Sequence, residues 1–450
     1  MSATQNVAQN GAIERAVVTG VGAITPSGLS ACALWDAVRA GKSAITELTG
    51  PEYAQLAVRI GGTVRGFDEA LGDTIGAQLA RRISPVQQWA IAAADEALAQ
   101  VGVARDPALS SQLEPQAGSL PRAEFDPQRV AVIAATGSGP IDAMQQATRV
   151  LDSRGPRAVP LTLSMHGAPD SAAALLSQRY GFQGPAQGIS ATCASGTVAL
   201  GEALRRVRHG YADAVLVVGM EDCLNAVNLA SNANLRALAA GYEAQPERAS
   251  RPFDRDRSGF VMSQGAAAML IESAASAHRR GVPVLAELAG FGASSDAHHP
   301  TAPHPAGRGA AQAIAACLAD AVLDAADIDH INAHGTGTPA GDAAELRAFD
   351  AALGERARRI PISATKSSTG HLLGAGGVVE AIVTVMALRD GVLPPTINLE
   401  APEESGWNFV AGRPRALNSE DARKATALST SFGFGGHNAA VILRGRGPLE

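Results

Sequence analysis

Aromatic side chains are scarce in this 450-residue chain: 4%, against 46% hydrophobic residues. A core built without them must be filled by small residues. With 48 glycines and abundant alanine, close backbone packing is expected to replace large side chains. Cysteine is rare too, and Cys32, Cys193, Cys223 and Cys317 are scattered without CxxC or other paired spacing. That excludes a disulfide scaffold and fits a reducing cytoplasm. No apolar stretch of about 18 residues runs free of charge or glycine, so no membrane span is expected. Residues 1–14 are polar, with no apolar run, and read as a disordered tail rather than a secretory signal. Positive charge is not in excess, and a net charge of −6 leaves no footprint for nucleic acid.

What is present is an alternation of strands and helices. The length exceeds what one growing core supports, so two core-forming halves are expected. In the first half, strand-like runs at 15–20, 129–134 and 212–219 alternate with helical patterns at 31–40, 81–101 and 194–207. In the second half, strands at 284–290, 328–334, 425–431 and 439–443 alternate with helices at 309–325 and 375–388. Residues 104–128, rich in Pro, Ser and Gln, read as an exposed loop. The alternation predicts an α/β fold with largely parallel sheets. The shared order of strand, glycine turn, helix and strand predicts an internal duplication, with halves at 15–275 and 276–446.

One cysteine stands at a special place. Gly188–Thr192 leads into Cys193, and Ala194-Ser195-Gly196 opens a helical pattern. A sulfur at a helix N-terminus faces the positive end of the dipole, which predicts a lowered thiol pKa and a good nucleophile. Three further stretches stand out: His330-Ile331-Asn332-Ala333-His334-Gly335-Thr336-Gly337-Thr338 with Asp342 and Glu345, Lys366–Gly374 with His371 and then Glu380, and Ser431-Phe432-Gly433-Phe434-Gly435-Gly436-His437-Asn438. His330 and His334 lack a third ligand in sequence, and His298, His299 and His304 read as loop residues, so no metal site is expected. The glycine turns at 20–22, 137–139 and 433–436 fit no nucleotide-binding fingerprint. Together, a thiol, two histidines, a lysine and glycine-rich amides suit acyl transfer and carbanion chemistry on thioesters.

The motifs SATCASG, NAHGTGTPAGDAAE, TKSSTGHLLGAGG and SFGFGGHN, in this order, identify a resemblance. Over about residues 15–445 the chain resembles the β-ketoacyl-acyl carrier protein synthases of the KAS II type, in the thiolase superfamily. The resemblance implies a five-layered αβαβα thiolase fold made from two duplicated halves. It implies decarboxylative condensation of a malonyl group with an acyl group on Cys193, in fatty acid or polyketide-type biosynthesis. His334 and His371 are implied to assist decarboxylation and stabilise the enolate, and Lys366 to support them electrostatically. The amides of Cys193 and Phe434 are implied to form an oxyanion hole, with Phe434 as the gate of the acyl pocket. Thr336 and Thr338 are implied phosphopantetheine contacts. Phe432, Thr301 and Asn232 are implied to line the substrate site, and Glu345 and Glu380 to be buried supporting carboxylates.

The implied partner is an acidic acyl carrier protein, which brings its own phosphopantetheine, so no cofactor of the protein's own is expected. Docking is expected on a basic patch drawn from Arg81, Arg82, Arg205, Arg206 and Arg208. The implied assembly is a homodimer, or a heterodimer with a related subunit. Two alternatives stand beside this reading. A biosynthetic thiolase needs a second cysteine in the C-terminal motif, and no cysteine follows Cys317. A chain-length-factor-like scaffold lacks the nucleophile that Cys193 supplies. Departures from the family occur at Ser263–Ala267, at Pro169-Asp170-Ser171, and in the Asn-rich segment Asn225–Asn234. Asn232 stands where an aromatic often does, so a polar or polyene acyl chain is expected to be favoured.

Overall fold

The computed structural model describes residues 14–103, 125–417 and 424–445. Residues 1–13 of the tail expected at 1–14, and residues 104–124 of the loop expected at 104–128, lie outside them. Ten strands form one hydrogen-bonded order: β1 (Ala16–Ile24), β2 (Val130–Ala135), β3 (Ala186–Ile189), β4 (Ala214–Asp222), β5 (Gln264–Ser273), β6 (Ala286–Ser295), β7 (His330–Asn332), β8 (Ile362–Ser363), β9 (Thr426–Gly433) and β10 (His437–Gly445). They run β8-β7-β9-β10-β6-β1-β5-β4-β2-β3.

This order is a palindrome in structure. From the centre outward, β1 pairs antiparallel with β5, β5 antiparallel with β4, then β4 parallel with β2 and β2 with β3. On the other side, β6 pairs antiparallel with β10, β10 antiparallel with β9, then β9 parallel with β7 and β7 with β8. The duplication is therefore plain in the pairing. The halves meet at a short contact, Val17 opposite Glu287 and Val18 opposite Ala286. The expectation of largely parallel sheets fails through the middle. β9 and β10 are joined only by the tight glycine loop, which permits an antiparallel pair alone.

Five layers result, as the thiolase fold requires. Helices α1 (Pro85–Ala99) and α2 (Ser171–Tyr180) share a core with one face of the first half. Helices α3 (Ser195–Arg208) and α4 (Gly376–Asp390) share a core with faces of both halves, so they form the central layer. Helices α5 (Arg308–Ala321) and α6 (Pro339–Leu353) cover the outer face of the second half. α4 is buried all round, from Gly376 to Leu388, which is why its sequence carries few charges. α1 starts at Pro85, not at residue 81. Pro85 suits the first helical position, and the Ser84 N–H donates to Gln87 Oε1 at 2.9 Å, closing the start.

The scarcity of aromatics has its counterpart in how helices meet strands. A Cβ on Gly20 or Gly22 of β1 would lie 2.1 or 2.0 Å from the carbonyl oxygen of Ala97 or Ala93 in α1. In the second half, a Cβ on Gly292 of β6 would lie 2.0 Å from Ala313 O in α5. The same backbone-to-backbone contact thus occurs in both halves. Among the described residues, no helix is long and apolar enough to cross a membrane.

Gly22→Ala and Gly292→Ala are each expected to lower the free energy of unfolding by about 1–3 kcal/mol, because the clashing atom is backbone and cannot swing away. Urea denaturation measures this, and a variant as stable as the parent would refute the contact.

Candidate active site

The parallel strands of each half end on the same side, where crevices form in α/β sheets. Cys193 follows the end of β3 and stands just before Ala194, the residue that caps the start of α3. Thr192 before it has φ +50, a costly conformation for a β-branched residue. It is held there by Thr192 Oγ1, which donates to the Phe434 carbonyl at 2.9 Å. That approach needs Gly433, where a Cβ would lie 2.1 Å from Thr192 Oγ1. The glycine motif at 433–436 therefore serves the cysteine turn of the other half. The amides of Phe434 and Cys193 lie against the Cys193 sulfur.

The second half supplies a buried polar cluster. Lys366, 2% exposed, ion-pairs with Glu380 Oε1, and its Nζ donates to the His334 carbonyl at 2.7 Å. Nζ also lies 3.3 Å from His334 Nδ1. An ammonium can only donate, so Nδ1 accepts and the ring proton sits on Nε2. The turn carrying His334 is fastened by Glu345 of α6. Its Oε1 accepts from the His334 N–H at 2.8 Å and from Thr430 Oγ1 at 2.9 Å, and its Oε2 accepts from the Gly335 N–H at 2.8 Å. The rings of His334 and His371 meet edge to face, with centroids 5.4 Å apart. Phe432 packs on His334 at 5.8 Å, and Phe260 lies against both His371 and Phe434.

Cys193, His334, His371, Thr336, Thr338, Phe432, Phe434 and Thr301 line one cleft of about 370 Å³. Thr336 Oγ1 and Thr338 Oγ1 are 3.0 Å apart within it. Several expected residues lie elsewhere. Asn232 does not line the cleft: its amide donates to the Asn228 carbonyl at 2.9 Å, one turn back along its own helix (Ala226–Asn234). Asn232 therefore gives the cleft no preference for a polar acyl chain. Leu235, Arg236 and Ala237, just beyond the helix, line the cleft instead. Arg205 pairs with Glu202, Arg206 with Gln187 and Arg208 with Asp320, all at the end of α3 remote from Cys193. Arg81 and Arg82 are exposed but do not line the cleft. Of the family departures, Ser263 lies directly against the His371 segment: its N–H donates to the His371 carbonyl at 3.0 Å, and its hydroxyl to that of Thr369 at 2.7 Å. Phe260 and Arg236 were missed because neither lies in a glycine motif. The only signal was that each sits between catalytic motifs in an otherwise irregular stretch.

Electrostatics correct one expectation. Burial pushes the Cys193 thiol up to about 12, with the Glu221 charge adding to it. Lys366 and the amides of Phe434 and Cys193 offset this only in part. The amides at the helix end do not bring the pKa below that of a free thiol, because losing water around a thiolate costs more than they return. Burial, then the Lys366 charge, holds His334 and His371 well below the usual imidazole range, so both are neutral. Burial raises Glu345 and Glu380 to about 7, against neighbours that favour the anion. Because the thiol titrates far above neutrality, its thiolate fraction must grow with pH. The iodoacetamide alkylation rate of Cys193 is expected to rise about tenfold per pH unit from pH 7 to 10. A plateau below pH 9 would contradict a raised pKa.

Comparison with known proteins agrees with this geometry. The models for the beta-ketoacyl synthase N-terminal domain and C-terminal domain match residues 14–277 and 285–400. The 3-oxoacyl-[acyl-carrier-protein] synthase 2 of Synechocystis sp. is 37% identical, over 96% of this chain and 98% of its own. That of Vibrio cholerae is 36% identical, over 96% and 99%. A beta-ketoacyl synthase from Burkholderia phymatum superposes with a TM-score of 0.83 at 30% identity, covering 96% of this chain and 99% of that one. A chain from the complex of a type II PKS acyl-carrier protein with its ketosynthase, bound to the hexaketide, superposes with a TM-score of 0.82 at 26% identity, over 96% and 100%. Motifs of both halves thus converge on one cleft within a fold shared along nearly the whole length, and this chain belongs to the beta-ketoacyl synthase family.

Proposed function

We propose that this protein is a 3-oxoacyl-[acyl-carrier-protein] synthase, an acyltransferase that extends an acyl chain by decarboxylative Claisen condensation. The observation that carries the reading is the meeting of the Cys193 sulfur, two backbone amides and two neutral histidines in one cleft. The acyl thioester of a carrier protein binds with its carbonyl oxygen between the amides of Cys193 and Phe434. Sulfur attacks the carbonyl carbon, the carrier thiol departs with the thiol proton, and the acyl group rests on Cys193. A malonyl thioester follows through the same cleft, past Thr336 and Thr338. Its carboxylate leaves as carbon dioxide, and the electron pair left behind forms an enolate. The Nε2–H of His334 and the ring of His371 stabilise the enolate oxygen as donors. The enolate carbon then attacks the acyl carbonyl, the new C–C bond forms, and the Cys193 thiolate leaves and is reprotonated. No cofactor or metal of the protein's own takes part, since the thioesters carry the energy.

Loading by Cys193→Ala is expected to vanish, while malonyl decarboxylation persists because it depends on His334 and His371. Intact mass after incubation with an acyl carrier thioester checks the first point, and carbon dioxide release the second. Elongation by the alanine variant would refute the reading.

Carrier docking follows the cleft mouth rather than the end of α3. Arg236 is exposed and lines the cleft, so it is placed to meet an acidic carrier. Arg236→Glu is expected to raise KM for carrier-bound substrates about tenfold, while loading from small thioesters stays within about twofold. Equal loss with both substrates would point to a structural role. Self-association is proposed through the free edge of β3, whose residues alternate between exposed and half-buried. Met144, Leu161 and Met165, exposed in the connection between β2 and β3, add apolar surface. Met165→Glu with Leu161→Arg is expected to shift the protein toward monomer in light scattering. A monomeric parent would refute this surface as an interface.

A further inference from the structure

The glycine turn after β2, Thr136–Gly139, carries no reacting side chain, yet a fully buried carboxylate holds it. Glu221, near the end of β4, is 0% exposed. Its Oε1 accepts from Thr136 Oγ1 at 3.2 Å, from the Ser138 N–H at 3.0 Å and from Ser138 Oγ at 2.9 Å. Its Oε2 accepts from the Gly137 N–H at 2.5 Å and from the Gly374 N–H at 3.0 Å. None of these donors carries a charge, so the anion is held by dipoles. Their convergence needs glycine at two places. A Cβ on Gly137 would lie 2.9 Å from Glu221 Oε2, and one on Gly374 would lie 2.7 Å from that oxygen and 2.3 Å from the Gly137 nitrogen.

Two parts of the site rest on this carboxylate. On one side, the turn it holds supports the cysteine elbow: Ser190 Oγ donates to the Gly137 carbonyl at 3.4 Å, and Ser195 Oγ lies 3.3 Å from the Thr136 carbonyl. On the other, Gly374 is the third residue after His371, beyond Leu373 with its φ of +41. The equivalent turn of the second half, after β7, is held in the same way by Glu345 and presents His334. The first-half turn presents nothing, but its carboxylate reaches across to the other half.

We propose that Glu221 is a positioning residue of the condensing site: one carboxylate fixes the Cys193 elbow of the first half relative to the His371 turn of the second. The assignment deepens the ketosynthase reading and rests on it. The Glu221 charge also acts on the Cys193 sulfur directly. Replacing it by a neutral amide removes both the charge and part of the acceptor set, whereas aspartate keeps the charge and shortens the reach.

Three readouts on the full-length protein separate these effects. Glu221→Gln and Glu221→Asp are both expected to slow acyl loading of Cys193 about tenfold or more, with KM within about twofold, since bonds to a buried anion are lost in each. Iodoacetamide alkylation of Cys193 at pH 9 is expected to quicken about threefold or more in Glu221→Gln, where a nearby negative charge is gone. It is expected to stay within about twofold of the parent in Glu221→Asp. Loading near the parent rate, or a loading defect with equal alkylation in the two variants, overturns the assignment. Should either fail to fold, Ser138→Ala removes one donor from a half-buried turn and is expected to slow loading about threefold at unchanged KM. An unchanged rate there overturns it as well. If the parent itself loads no acyl group, the ketosynthase reading fails, while the alkylation comparison still reports on Glu221.

Discussion

Lys366 is an ammonium group almost without water, and the chemistry of the cleft depends on how that charge is held. Removing an ion from water is costly unless a partner and further hydrogen bonds take the place of the solvent. Glu380 supplies the partner from α4, and the His334 carbonyl and Nδ1 supply the remaining acceptors. The consequences run outward from there. The His334 tautomer is fixed with its proton on the free nitrogen. Both histidines are kept neutral by the positive charge beside them as well as by burial. A neutral imidazole can donate to an oxygen that is gaining charge without first having to lose or gain a proton, which suits a site that must stabilise an enolate briefly and release it.

Around that charge, the fold repeats one solution twice. Each half ends its parallel strands in glycine turns whose amides would be orphaned by burial, and each half answers with a carboxylate. Glu345 answers from a following helix and Glu221 from a neighbouring strand. Side chains with opposite demands thus stand close together: anions that organise backbone, a cation that polarises histidines, and a thiol that stays protonated at rest. The glycines that permit this are needed for space rather than for flexibility. At Gly433, Gly137 and Gly374 a methyl group would collide with the partner that the turn exists to meet.

Much of this was legible in the residues. The motifs around Cys193, His334, Lys366, His371 and Phe434 named the members of the cleft, because each consists of reactive side chains embedded in glycine or small residues. The duplication was visible as a repeated rhythm, and the lack of aromatics foretold the close meeting of helices and strands. The pairing directions were not legible, since an alternation of strand and helix does not say that the last strand of each half returns antiparallel beside its predecessor, through a long connection in the first half and a tight turn in the second. Asn232 was misplaced because a helix turns its residues through 100° each, and a segment aligned with a pocket need not point its middle into it. The acidity of Cys193 was misjudged because a sequence shows the helix start but not the loss of solvent. Phe260 and Glu221 were missed because they act through contacts far along the chain.

The burial that keeps Cys193 protonated also sets its fate between turnovers. Peroxide and disulfides react with thiolates, and their oxidation products accumulate where thiolate character and solvent access coincide. A nucleophile that is 7% exposed and titrates near 12 offers neither. Its reactivity is withheld until an acyl thioester fills the cleft and supplies both the electrophile and a leaving group to carry off the proton. Cys32 is exposed while Cys193, Cys223 and Cys317 are buried, so it is the thiol that meets oxidant first. An idle molecule in an oxidising moment therefore sacrifices a surface sulfur and keeps the one that makes carbon–carbon bonds.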